Sequence, residues 1–486
     1  MNITEKVSLL REGMIIPVDI NDIAFGGEGV GRYQNQAIFV PYTAPEDEVL
    51  VKVTEVKKRH AHGIIHELVK SSPLRIAPRC SHFTRCGGCD YQHLSYPDQL
   101  AIKKTQVVEA FRRIGCFPSP PIADVIPSPR PFNYRGKADF WIAKRDRQDG
   151  VAGFLRSKSR DIVDVERCEI IAESLNQALQ GLHKQGRESP VTVSRRQVTA
   201  WSWGRETGAD VPAAALNDPV LKKALIGPPQ PPDLFRSPAG HSHSVWEKTP
   251  RCQHFPEEIS HATDRCGYSE IPSEVWPIHA DAAGDLACCG EVIPRIVKGR
   301  TFLVPAQGFF QANLYLVEQL VDAVVAMCAL TGRESVLDAY CGSGLFSMFL
   351  APAARQVFGI ELWGKAITCA RENLARAGHD NADFIIGDVG EVMQSQFVAR
   401  QQFLDVLVLD PPRTGCPGKV LSSVNRLRPK RIAYVSCNPA TQARDCRFFA
   451  GHGYTLQNLQ PFDMFPQTSH IEVVALLLLQ EKSPTA

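Results

Sequence analysis

The sequence contains no apolar run long enough to cross a bilayer. The longest near its end, Ile471 to Leu479, is interrupted by Glu472. It falls far short of the roughly 20 residues a spanning helix needs, so it reads as a buried terminal strand. Met1 to Gly13 holds no apolar stretch of signal-peptide length. Neither sign of charge prevails: 54 Lys and Arg against 52 Asp and Glu leave a formal net charge of +2. That balance excludes a uniformly basic binder and confines any nucleic-acid contact to local patches. Internal repeats are absent as well. What remains is an ordinary globular composition, 44% hydrophobic and 22% charged over 486 residues, enough for two or three domains with substantial cores. Fifteen cysteines without a secretion signal point to a reducing, cytoplasmic setting, where thiols serve metals or catalysis.

One of those cysteines stands apart. Cys437 follows an apolar strand, Arg431 to Val435, in the polar loop Ser436-Cys437-Asn438-Pro439-Ala440-Thr441. Ligands bind at the carboxyl ends of strands in open α/β sheets, and a partly exposed thiol near a helix start can act as a nucleophile. Acids mark the other strand ends. Ser335 to Ala339 contains Asp338 and runs into Tyr340-Cys341-Gly342-Ser343-Gly344. Gln356 to Ile360 ends in Glu361, Phe384 to Ile386 in Gly387-Asp388, and Val406 to Leu409 in Asp410-Pro411-Pro412-Arg413. Glycines in the first turn let the backbone approach a ligand. An acid after the second strand can accept hydrogen bonds from a ribose diol. Ser347 stands where the dinucleotide fingerprint needs its third glycine, which disfavours nicotinamide binding. Helix-period segments such as Ala366 to Ala377 alternate with these strands, predicting an α/β fold with a doubly wound, mostly parallel sheet.

The amino-terminal part reads differently. Ile15–Ile20, Gln36–Val40, Glu48–Val56 and Gly63–Val69 are short strands, and Gly26, Gly27, Gly29 and Gly31 punctuate the first turn, so residues 14–70 predict a small barrel. Lys57-Lys58-Arg59-His60 offers contacts to phosphates. Cys80, Cys86 and Cys89 follow at C-x5-C-x2-C spacing, with Gly87 and Gly88 freeing the backbone to wrap a metal. Cys168 is the choice for a fourth ligand, and a cysteine-only set suits zinc and an iron–sulfur cluster alike. Tyr96 to Ile114 has helical periodicity. Arg130 to Arg167 is locally basic, and Trp141 within it reads as a core residue rather than a base-stacking one. From 186 to 290 the pattern weakens. Pro228 to Pro232 is a stiff linker, and Cys252, His254, His261 and Cys266 have metal-like composition at a spacing that fits no standard zinc site.

Read in order, Ile23 to Arg32, the cysteine cluster, Phe309-Phe310-Gln311-Ala312-Asn313, Asp338 to Phe346, Glu361, Asp388, Asp410 to Gly415, Ser436 to Thr441 and Ser469-His470-Ile471-Glu472 resemble the TRAM-domain, iron–sulfur-containing RNA 5-methyluridine methyltransferases. The resemblance covers the last third of the chain and two stretches of the first. It implies a class I S-adenosylmethionine-methyltransferase sheet at 291–486, an OB-like TRAM barrel that binds RNA at 1–75, and a central α+β domain at 76–290. Within the central domain it implies that the helix at 95–116 packs on the catalytic domain, and 186–290 is read as an insertion. The resemblance also decides the metal: a [4Fe–4S] cluster on Cys80, Cys86, Cys89 and Cys168. The spacing of radical-S-adenosylmethionine clusters, three residues in the first gap, is absent. Gln311, Tyr340, Glu361, Asp388 and Asp410 are implied contacts to S-adenosyl-L-methionine. Leu345 departs from the family, replacing a polar cofactor contact. The implied partner is RNA, with 23S ribosomal RNA favoured over transfer RNA, for a monomer with no membrane attachment.

The implied chemistry has a physical rationale. Carbon-5 of uracil is a poor nucleophile. Addition of the Cys437 thiolate to carbon-6 makes carbon-5 enolate-like, so that it can take a methyl group. A base must then remove the carbon-5 proton. Glu472, flanked by apolar Ile471, Val473 and Val474, is expected to be that base. Three other readings compete. An amino-methyltransferase would carry an aromatic where Arg413 stands and would not need Cys437. A non-catalytic RNA-binding protein could use the barrel and cluster but has no need of the strand-end acids. A flavoenzyme or thiol-redox protein would need a dinucleotide loop that is absent.

Overall fold

Alternating apolar and polar residues from Ile15 to Lys70 build five strands that close on themselves. In the computed structural model, which describes residues 10–144, 150–188, 193–202, 275–280, 286–288 and 292–480, these are β1 (Ile15–Ile23), β2 (Glu28–Tyr33), β3 (Gln36–Pro41), β4 (Glu48–Val56) and β5 (His60–Lys70). They form a closed barrel in the order β1-β2-β3-β5-β4, filled by Ile16, Val18, Ile38, Val40, Val49 and Val51 among others. β2 is a strand that sequence reading takes for a turn. Its Gly29 and Gly31 are not turn formers: a Cβ at Gly31 would strike Val18 and the Asp19 carbonyl, and one at Gly29 would strike Thr43. Glycine there permits close approach of backbones. The true turn is Ala24–Gly27, with Gly26 and Gly27 at φ 107° and 92°.

The chain then passes through the cysteine loop into α1 (Tyr96–Arg113), capped by the Ser95 side chain and with Pro97 in its first turn. A six-stranded sheet follows: β6 (Lys137–Lys144), β7 (Val151–Leu155), β8 (Ile162–Asp164), β9 (Val193–Trp201), β10 (Val275–Ala280) and β11 (Leu286–Cys288), ordered β11-β10-β9-β6-β7-β8. Helix α2 (Glu173–Glu188) covers it through Leu175, Leu179 and Leu182. Trp141 on β6 is half-buried. The core tryptophan is Trp201, whose Nε1 donates to the Ala306 carbonyl at 2.9 Å. Pro228–Pro232, Cys252, His254, His261 and Cys266 lie outside the described residues.

After the hairpin β12 (Val292–Val297) and β13 (Arg300–Pro305) comes the large sheet. Its strands are β14 (Ser335–Ala339), β15 (Gln356–Glu361), β16 (Ala382–Ile386), β17 (Val406–Leu409), β18 (Arg431–Ser436), β19 (Tyr454–Phe462) and β20 (Glu472–Leu479). They lie in the order β16-β15-β14-β17-β18-β20-β19, with β14 to β18 parallel and β20 antiparallel to both neighbours. The order reverses beside β14, so the carboxyl ends of β14, β15 and β17 open a crevice. Helices α3 (Val317–Cys328), α4 (Leu345–Leu350) and α5 (Gly364–Arg376) bury Leu320, Phe346 and Ile367 on one face. Helices α6 (Gly418–Leu427) and α7 (Pro439–Ala450) bury Val420 and Phe449 on the other. Helix α1, far away in sequence, lies against α7 and adds Val107 and Phe111 to that second core. Among the described residues no helix is long and apolar enough to cross a membrane.

Candidate active site

The crevice is built from strand ends. β14 runs into Tyr340, a non-glycine residue held at φ 66°, and then into Gly342 and Gly344 at φ 55° and 80°. At Gly344 a Cβ would stand 3.2 Å from that of Ala370, while at Gly342 it would meet only open space. The backbone here is kept bare toward the crevice. Asp338 is fully buried. Ser347 donates to its Oδ2 from the backbone N at 3.0 Å and from Oγ at 2.6 Å, and Oδ1 has no partner among the described residues. Burial holds its carboxyl up to about 7, against the opposing pull of the Ser347 bonds. Glu361 accepts from the Gly342 and Trp363 amides at 3.3 and 2.9 Å, which fixes it at the end of β15. Asp388 caps the short helix Val389–Val392 by accepting from the Glu391 amide at 3.0 Å. Gln311 is buried, with an Oε1 that has no partner among the described residues. Leu345 opens α4 and is half-buried.

Cys437 sits at the end of β18, half-buried. Asn438 caps α7, accepting from the Ala440 amide at 3.1 Å and donating from Nδ2 to the Arg413 carbonyl at 3.0 Å. Thr441 Oγ1 donates to the same carbonyl at 3.1 Å. The Asp410-Pro-Pro-Arg413 loop is thereby latched to the cysteine loop. Asp445 secures it from below, accepting from the Cys416 amide at 2.8 Å and from the Tyr434 hydroxyl at 2.7 Å.

Three charged groups surround the thiol. Burial first, then the Glu472 carboxylate, pushes Cys437 up to about 11; the Arg413 guanidinium, within hydrogen-bonding reach, pulls it back, and Asp410 raises it further. Glu472 is 4% exposed. Burial and then Asp410 hold its carboxyl well above the usual range, with Arg413 opposing. Asp410 is itself pushed up to about 7 by burial and by Asp338. Arg413 Nη2 also lies 3.2 Å from His470 Nε2. Burial and neighbouring cations keep that imidazole down at about 4, so it is neutral and able to accept. Thiol, base candidate and the strand-end acid Asp410 therefore share one neighbourhood. Sequence reading uses Arg413 only to argue against an aromatic and passes over Asp338 and His470 as site residues; the spacing of Arg413 from Asp410 is the available signal.

The other four cysteines meet elsewhere. Cys80, Cys86, Cys89 and Cys168 line a cavity of about 100 Å³ between the loop before α1 and the end of the central sheet. Backbone amides of His82 and Phe83 face Cys80, that of Gly88 faces Cys86, and those of Ile170 and Ile171 face Cys168. Gln92 Nε2 donates to Cys89 Sγ at 3.3 Å. Burial pushes all four thiols up, Cys168 to about 12. Among the described residues no three His, Cys, Asp or Glu stand close enough to share one metal ion. Four thiols with amide donors beside them are the donor chemistry that zinc and an iron–sulfur cluster both use.

Crevice, bare glycine turn and strand-end acids define a class I methyltransferase fold. A model of the tRNA (Uracil-5-)-methyltransferase family matches residues 295–481, and the TRAM domain matches residues 10–65. An uncharacterized RNA methyltransferase of Halalkalibacterium halodurans is 31% identical over 476 residues, covering 96% of this chain and 97% of the relative. One from Nostoc sp. is 32% identical over 484 residues, covering 98% of each. The crystal structure of Pyrococcus abyssi tRNA (uracil-54, C5)-methyltransferase, in complex with S-adenosyl-L-homocysteine, shares the fold at a TM-score of 0.61 and 24% identity, covering 95% of this chain and 100% of that one. The chain belongs to the TRAM-containing family of S-adenosylmethionine-dependent RNA uracil-5-methyltransferases.

Proposed function

We propose that the protein methylates carbon-5 of a specific uridine through a covalent enzyme–RNA intermediate, with Cys437 as nucleophile and Glu472 as base. The observation that supports it best is the common neighbourhood of the Cys437 thiol, Arg413 and the buried Glu472. Arg413 and the sulfonium of the methyl donor both favour the thiolate. The thiolate sulfur bonds to carbon-6, and the electron pair of the 5,6 double bond becomes enolate. Carbon-5 takes the methyl group, and the sulfonium leaves as a neutral thioether. Glu472 accepts the carbon-5 proton, the double bond re-forms, and the carbon–sulfur bond breaks to return the thiolate. Gln311, Tyr340, Glu361 and Asp388 would hold the donor, and Asp410 would stand between donor and base. The uridine must leave its stack to reach Cys437, so a loop or flipped nucleotide is the expected substrate.

The functional division is 1–75 for RNA binding, 76–290 for the cluster and RNA, and 291–486 for chemistry, in a cytoplasmic monomer. Cys80, Cys86, Cys89 and Cys168 would hold a [4Fe–4S] cluster, which supplies structural cross-linking, since four protein ligands leave no open iron. Ribosomal RNA is the favoured target because the cysteine pattern resembles that of relatives commonly acting there. The solved relative acts, by its name, on tRNA uracil-54, so both RNAs belong in the test. With labelled methyl donor, Cys437→Ala should abolish methylation and every covalent adduct. Glu472→Gln should transfer one methyl group and stall as a methylated RNA–protein adduct that survives denaturing electrophoresis. Turnover by Cys437→Ala would falsify the covalent route.

A further inference from the structure

Glu472 follows a segment, 463–471, that forms neither strand nor helix and yet is deeply buried: Asp463 and Met464 are 0% exposed, Gln467 2% and Ser469 4%. Such a segment needs outside partners for its backbone. The amino-terminal half supplies them. Lys103 Nζ donates to Asp463 Oδ1 at 2.5 Å and to the Phe465 carbonyl at 3.1 Å. Gln99 accepts from the Gln467 amide at 3.0 Å. The amides of Asp90 and Tyr91 both donate to the Gln467 carbonyl, at 2.9 and 3.0 Å, with Gln467 itself held at φ 67°. Nearest the base, the Ser469 amide donates to Asp90 Oδ2 at 2.9 Å. The barrel turn closes over this bond: a Cβ on Gly27 would stand 3.0 Å from that of Ser469 and 3.1 Å from that of Asp90.

We propose that Asp90 is a positioning residue for proton abstraction: by fixing Ser469 it sets where Glu472 stands over carbon-5. Because it directly follows Cys89, it ties that placement to the cysteine cavity. The proposal rests on the reading of Glu472 as base. Asp90 touches neither thiol nor donor site. The nucleophile has its own support, the Asn438 and Thr441 latch on the Arg413 carbonyl, in which Asp90 takes no part. Loss of the Asp90 carboxylate therefore releases the base side of the site and leaves the nucleophile side in place, so addition and methyl transfer are spared while elimination slows.

The test follows single turnovers of the full chain with labelled S-adenosylmethionine and target RNA, reading methylated adduct by denaturing electrophoresis. Asp90→Ala should form adduct at nearly the wild-type rate and release it about tenfold more slowly, the loss expected for one charge-assisted hydrogen bond. Asp90→Asn keeps an acceptor for the Ser469 amide and should release within about twofold of wild type. Asp90→Glu keeps the charge, moves the carboxylate by one methylene, and should be slow. The Asn and Glu pair decides the matter if the alanine variant does not fold. Binding of S-adenosylmethionine should be unchanged throughout. Normal release by Asp90→Ala or Asp90→Glu, slow release by Asp90→Asn, or equal loss of adduct formation and release overturns the proposal. If Glu472→Gln stalls and the Asp90 variants do not, only the positioning role fails; if Glu472→Gln turns over normally, the base assignment fails first.

Discussion

Carboxyl groups crowd the crevice. Asp338 adds to the negative surroundings of Asp410, Glu361 adds to those of Asp338, and Asp410 adds to those of Glu472. If S-adenosylmethionine binds among them, as proposed, its sulfonium favours the ionised forms, which its demethylated product, a neutral thioether, cannot do. Binding of S-adenosylmethionine is therefore expected to release protons and to tighten as pH rises through about 7, the value to which burial pushes both Asp338 and Asp410. S-adenosylhomocysteine should show a flatter profile. Calorimetry in two buffers of different ionisation enthalpy measures the protons directly, and Asp410→Asn should shrink both the release and the preference for the cation. Identical pH profiles for the two ligands would remove this electrostatic account. The same shift acts on stability with a definite sign. Asp338 has a folded pKa raised above its unfolded value near 3.9, so its contribution is present below about pH 4 and is lost as pH rises to about 7.

Elements place these residues through long-range contacts, and there the sequence is only partly legible. Strand-end acids can be read because burial of parallel strands forces apolar runs, and what interrupts them at the carboxyl end is then informative. The gathering of Cys80, Cys86 and Cys89 is legible in their glycine-separated spacing, and the fold brings Cys168 to the same cavity. β2 is not, since Gly29 and Gly31 serve strand packing that only the barrel partners reveal. Nor are the grips on 463–471, whose partners lie more than 330 residues away in the chain. Helix α1 carries one of these, the fully buried Lys103–Asp463 pair at 2.5 Å; burial drags the lysine pKa down even against its partner. Lys103→Met should strand Asp463 without a counter-charge and lower stability by about 3–5 kcal/mol, measured by urea unfolding, while Lys103→Met with Asp463→Leu should recover much of that loss. A double variant no better than the single would show that the pair is not what the methionine disturbs.

At the scale of the whole molecule, cysteine cavity, barrel and catalytic sheet meet around Asp90, Gly27 and Ser469. Protein purified without oxygen should be brown and carry about four irons per chain, the count implied by the proposed cluster. Stoichiometric zinc in a colourless, active preparation would count against it. The same junction makes barrel deletion a poor probe of RNA affinity, because removing Gly27 also unroofs Ser469. Point substitution is cleaner. Lys57, Lys58 and Arg59 form the exposed tip between β4 and β5, and apart from a 3.3 Å pair between Lys57 and the exposed Glu55 they face solvent. Such an exposed pair is worth little. If this tip neutralises phosphates of the substrate, replacing all three residues with alanine should weaken RNA binding most at low salt. It should also flatten the slope of log K against log salt by about 2 to 3, roughly 0.7 to 0.9 for each phosphate no longer neutralised. Affinity for S-adenosylmethionine and the methyl-transfer rate at saturating RNA should not change, since no group in the crevice is touched. An unchanged salt slope would mean that the tip is merely a solvated hairpin and that the RNA backbone is held elsewhere on the molecule.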